Sequence, residues 1–110
     1  MNMSRDIRRS FGGKGKLLAP TDQAAIEADC KIELSGVLVD TPTPDGHNRR
    51  PDWRRAKGTV VLSAEAPAPL DPGVEYLLVL DGPVECRIRA RRRQKSHTYD
   101  VEGAVTKPPA

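Results

Sequence analysis

Apolar and charged residues alternate along residues 24–39, AAIEADCKIELSGVLV. Ile26, Ala28, Cys30, Ile32 and Leu34 hold one parity; Glu27, Asp29, Lys31 and Glu33 hold the other. Successive side chains of a strand point to opposite faces, so this pattern predicts an antiparallel strand with one buried face and one wet face. A helix would need apolar positions three and four apart, and the run does not supply them consistently. At Ser35-Gly36 the phase changes, and Val37 and Val39 carry the other parity onward. A bulge or bend there would let one long strand turn a corner.

Most of the remaining chain reads in the same period. Residues 56–63 (AKGTVVLS) are rich in β-branched side chains and predict a strand. Residues 74–80 (VEYLLVL) and 84–90 (VECRIRA) flank Asp81-Gly82, a strong hairpin signal, with Pro83 limiting the first pairing position. In the second arm Val84, Cys86, Ile88 and Ala90 take the inner face; Glu85, Arg87, Arg89 and Arg91 take the outer one. A polar turn over residues 92–96 leads to a last strand, 97–105, with Tyr99, Val101, Gly103 and Val105 on one face. Residues 14–19 (KGKLLA), followed by turn chemistry at Pro20-Thr21-Asp22, can add a strand ahead of the first. Two connections are proline-rich. Residues 40–55 (DTPTPDGHNRRPDWRR) are expected to form a long loop, and residues 65–73 (EAPAPLDPG) an extended link.

The sum is an all-β chain of five or six strands with no long amphipathic helix. Its sheet must cover its own apolar face. The expectation is a small antiparallel β-barrel, with a two-layer sandwich as the alternative, and mostly meander connections. The expected divisions are a flexible basic arm over 1–13, a single β domain over 14–106 and a disordered end over 107–110. At 110 residues the chain has the length of one domain. Its aromatic residues are Phe11, Trp53, Tyr76 and Tyr99, so the core must be largely aliphatic. No apolar run approaches the ~20 residues of a membrane helix, and the charged first 16 residues lack the apolar segment of a signal peptide. That predicts a cytoplasmic protein with no membrane partner.

Charge adds what periodicity cannot. The net charge is only +3, but the charges are sorted. Residues 1–20 carry Arg5, Arg8, Arg9, Lys14 and Lys16 against Asp6. Residues 49–57 carry Arg49, Arg50, Arg54, Arg55 and Lys57 against Asp52. Residues 87–95 carry Arg87, Arg89, Arg91, Arg92, Arg93 and Lys95 with no carboxylate, and the remainder of the chain sums to −11. Such asymmetry points to an acidic partner, a nucleic acid or a second copy.

The third segment is the leading binding candidate. Arg87, Arg89 and Arg91 would stand about 6–7 Å apart on an outer strand face, near the phosphate repeat of an extended nucleic-acid strand. Arg92, Arg93 and Lys95 would crown the next turn, with His97 and Tyr99 nearby for stacking. The plainer alternative is cross-strand pairing with Asp100, Glu102 and Glu75, which could answer three arginines but not six cations. Arg49, Arg50, Trp53, Arg54 and Arg55 form the second candidate. An exposed Trp between arginine pairs suits stacking or protein recognition; packed inward, Trp53 would instead anchor the 40–55 segment on the barrel. FGGKGK, residues 11–16, lacks the spacing of a phosphate loop and reads as part of a basic arm.

Catalytic chemistry is not indicated. Cys30 and Cys86 are isolated and fall on inner faces, where thiols behave as small hydrophobes; neighbouring strands would allow a disulfide. No ligand spacing for a metal, and no cofactor motif, is present. The sequence therefore leaves the function open. It favours a non-enzymatic binding or accessory barrel acting through its basic surface, on nucleic acid or an acidic protein. A self-associating barrel is the first alternative, and a ligand-binding or enzymatic barrel with a pocket under the 40–55 segment the second.

Overall fold

The computed structural model describes residues 4–20, 25–63, 70–81, 83–94 and 97–109. Among them are six strands: β1 (Ser4–Leu18), β2 (Ile26–Thr43), β3 (Gly46–Leu62), β4 (Glu75–Leu80), β5 (Val84–Arg92) and β6 (Thr98–Lys107). All their pairings are antiparallel. The order β1-β2-β3-β6-β5-β4 closes on itself through β4 and β1, so the sheet is a barrel and not a sandwich. Two three-stranded meanders, β1-β2-β3 and β4-β5-β6, are joined edge to edge.

The period-two residues line the interior. Ala28, Cys30, Ile32 and Leu34 of β2 meet Val60 and Leu62 of β3, Leu78 and Leu80 of β4, Val84, Cys86 and Ile88 of β5, and Val101 of β6 in one core. Among the described residues no polar or charged side chain is buried there. Residues 70–74, just ahead of β4, form a strap against the core. Leu70 is buried; its N–H donates to Tyr99 Oη (3.2 Å), and the Asp71 N–H donates to Tyr76 Oη (2.9 Å). Both tyrosines thus place a ring in the core and a hydroxyl where a strap amide needs an acceptor.

Barrel closure demands tight strand coiling at particular points. The register between β2 and β3 shifts at Ser35/Gly36, the place where the alternation changes phase. Ser35 faces Arg55 and Gly36 faces Trp53, so Arg54 is the extra, bulged residue of β3. A Cβ on Gly36 would lie 2.0 Å from the Asp52 carbonyl oxygen, and one on Gly103 would lie 1.8 Å from that of Arg87. Only glycine permits these approaches.

Three expectations are corrected. Residues 40–55 are not a loop: β2 runs to Thr43, turns over Pro44-Asp45 and returns as β3 from Gly46, whose φ of 134° requires glycine. Nor are residues 4–13 a free arm, because β1 starts at Ser4 and pairs with β2 from Ser4↔Val39 onward. The expected frayed end also begins inside β6, which reaches Lys107. The first two share a reason. The outer halves of β1, β2 and β3 extend past the barrel as a three-stranded tongue with no core against either face, so nothing forces apolar and polar residues to alternate there. Residues 41–50 are all exposed. The tongue accounts for the 56 × 27 × 24 Å shape and a radius of gyration of 16.1 Å, against about 13 Å for a compact chain of this length.

Candidate functional site

The arginines of β5 face outward because Val84, Cys86, Ile88 and Ala90 hold the inner parity. The register then decides their neighbours. Arg89 lies between Glu102 of β6 and Glu75 of β4, and Arg91 faces Asp100. Glu102 in turn faces Lys57 of β3, which faces Glu33 of β2. One outer rung therefore reads Glu33, Lys57, Glu102, Arg89, Glu75, with the sign alternating at every strand. This is the cross-strand complementation that the sequence offered as the plainer alternative.

Complementation is incomplete, and the gap has a place. Arg93, just past β5, donates from Nε (2.9 Å) and Nη2 (2.7 Å) to the two oxygens of Asp100. This forked hydrogen bond, with its charge, holds the Asp100 carboxyl below the usual carboxylate range. Both oxygens of Asp100 are thereby engaged by Arg93, and Arg91 lacks a carboxylate at ion-pair distance among the described residues. Arg87 makes a long pair with Glu75 (3.9 Å), and Arg89 makes none at ion-pair distance among the described residues. A groove of about 630 Å³ runs along this face, lined by Lys57, Arg89, Arg91 and Arg93 with Asp100 and Glu102, and bounded by Pro72 of the strap.

The other candidate residues divide. Arg55 is exposed and faces Ala104, with Arg87 on the far side of that alanine, so the second and third basic segments meet across β6. Arg54 is turned to Asp52 (2.9 Å) by the bulge. Arg49 stands 3.9 Å from Asp40, which also lies 3.3 Å from His47, out on the tongue. Arg50 is exposed there, and Arg92 is exposed at the end of β5. Lys95 lies outside the described residues. Trp53 is half-buried and packs against the core at the root of the tongue, so it anchors and is not displayed. The first basic segment sits on β1, two strands from β3 and from β5. Its Arg8 shares an outer rung with Arg55 and Arg87, but that rung encircles the barrel and does not gather on one face.

Two features escaped the sequence. Lys57 completes the groove, yet its position follows only from the β3–β6 register. Tyr99 is 2% exposed and committed to the strap, so it offers no ring, and among the described residues no aromatic side chain lines the groove. Cys30 and Cys86 are buried, free thiols, each pushed up to about 11, chiefly by burial. Among the described residues no group of three or more His, Cys, Asp or Glu is placed to hold a metal ion, and no helix is long and apolar enough to cross a membrane. Comparison with known protein families, with curated proteins and with solved structures found no match to this chain.

Proposed function

We propose that this chain is a non-enzymatic binding module whose groove over β3, β6 and β5 takes an acidic segment of a protein partner. The observation that carries this reading is the capture of Asp100 by Arg93. It leaves Arg91, with Arg89 and Lys57, facing the groove against Glu102. A partner carboxylate entering there would complete pairs that the sheet leaves open, and a guanidinium fork favours two-point contact with it. Two features favour a polypeptide over a nucleic acid. Carboxylates interleave with the cations, so the uniformly charged phosphate chain would meet negative charge at alternate strands, whereas a polypeptide can space its carboxylates to the cations. The groove also lacks a ring for base stacking among the described residues.

A charge swap tests the groove. Arg91→Glu should weaken binding of a glutamate-rich peptide about tenfold or more, and a lysine-rich peptide of the same length should gain affinity for the variant. Equal binding of the glutamate peptide by the variant and the natural chain would refute the assignment.

A further inference from the structure

The tongue has two open edges, and they are not equivalent. Among the described residues, 46–54 of β3 pair with β2 alone, because β6 joins β3 only from Arg55 inward. Pro51 sits in the middle of that stretch and has no N–H to give. This edge is blunted against another strand. On the opposite side, residues 4–13 of β1 pair with β2 and, among the described residues, with no other strand; Gly15 is buried beside Val79 and Leu80, and β4 pairs with β1 at Lys16–Leu18. No proline interrupts β1. Arg5, Asp6, Arg8, Arg9 and Ser10 are exposed, and a Cβ on Gly12 or Gly13 would meet nothing within 4 Å. From Ser4 to Gly12, ahead of Gly13 with its φ of 122°, alternate residues of an extended edge present an N–H and a C=O outward.

The charge on this edge selects the occupant. Arg5 and Arg9 stand along it against Asp6, Arg8 makes a long pair with Glu33 of β2 (3.9 Å), and Arg9 lies 5.0 Å over the Phe11 ring. A second copy pairing β1 with β1 would bring an edge of the same net positive charge against this one, which opposes the pairing. An acidic chain would set carboxylates beside Arg5 and Arg9. We propose that the β1 edge is a second, independent docking site, which adds an extended acidic segment of another protein as a further strand. Main-chain hydrogen bonds would supply its affinity, and Arg5 and Arg9 its charge selectivity.

The test uses the full chain carrying Arg89→Ser and Arg91→Ser, so that the groove over β5 is disabled and only the edge is read. The probe is a labelled ten-residue peptide of alternating Glu and Val with blocked ends, followed by anisotropy. The expected result is salt-sensitive binding that slows hydrogen exchange of the β1 amides. Binding should be at least about tenfold weaker for the same peptide N-methylated at alternate residues, since its strand donors are gone while its charge remains. Arg5→Ser with Arg9→Ser should weaken the unmodified peptide as well. Absence of binding, equal binding of the methylated peptide, or protection confined to other strands would overturn the proposal. So would β1 protection that rises with protein concentration alone, because the occupant would then be a second copy. Failure of the groove reading is separate: it would show as binding by the natural chain that Arg91→Glu does not change.

Discussion

Gly103 shows how one residue governs closure of the barrel. A Cβ there would lie 1.8 Å from the Arg87 carbonyl oxygen and 2.7 Å from Ile88 Cα, both backbone atoms that cannot step aside alone. Gly103→Ala should therefore destabilise by about 1–3 kcal/mol or more as β5 and β6 are forced apart. Gly12→Ala, which meets open space, should be nearly neutral in the same thermal melts. The thiols give a second residue-scale prediction. Cys30 and Cys86 ionise near 11 in the folded chain, against an ordinary value of 9.0. Below pH 9 they are protonated in both states and impose no pH dependence. From pH 9 upward the unfolded chain loses these protons first, so stability should fall as pH rises toward 11. A thiol reagent at pH 8 should leave both cysteines untouched and react with both once the chain is denatured. Native-state reaction would mean that the barrel opens locally. The inward placement of both thiols is legible in the sequence by parity alone, since Cys30 and Cys86 fall among Ala28, Ile32, Val84 and Ile88. The close approach at Gly103 is not, because it depends on which strand passes beside it.

At the scale of elements, the barrel strands announce themselves and the tongue does not. Strands with one face in a core must alternate, and residues 26–34, 84–90 and 99–105 do so. The phase change at Gly36 marks the bulge in the same way, because a core-facing strand can switch parity only where its register shifts. The outer halves of β1 and β3 have water on both faces, so their sequence answers only to backbone pairing. Prolines and arginines then look like loop chemistry. The same logic predicts what the tongue tip contributes. Residues 41–48 are exposed, and replacing them with an Asn-Gly turn between Asp40 and Arg49 should shift the melting temperature by less than about 3 °C. A large loss would show that the tip supports the barrel. The candidate site is half legible. Parity places Arg87, Arg89 and Arg91 outward, with Asp100, Glu102 and Glu75 as neighbours. The diversion of Asp100 to Arg93, and the arrival of Lys57, need the register.

Across the whole molecule the charges are arranged to be mostly self-answering, with defined exceptions. The rung from Glu33 to Glu75 alternates in sign around five strands, which keeps a chain of this charge density from repelling itself. Among the described residues, exceptions lie in the groove and at Arg5 and Arg9 of β1. The Arg93–Asp100 pair controls the first of them. Both groups are about half exposed, so the pair contributes little to stability, and that little is lost as pH falls through the lowered value of Asp100. Its larger effect is on the field. Asp100→Asn should remove a negative charge from the groove and loosen the fork on Arg93. An acidic peptide should then bind several-fold more tightly, read by anisotropy, with little change in melting temperature. Weaker binding would show that Arg93 acts only when held by Asp100.

The most direct measurement is a parallel titration. A glutamate-rich peptide, single-stranded RNA, single-stranded DNA and duplex DNA would each be titrated with the chain at about 50 and 200 mM salt. The Arg89→Ser/Arg91→Ser/Arg93→Ser variant would run beside it. The peptide should bind more tightly than any nucleic acid at both salts, and the variant should lose most of this affinity. Tighter binding of an oligonucleotide, lost in the same variant, would contradict this and make the groove a nucleic-acid site.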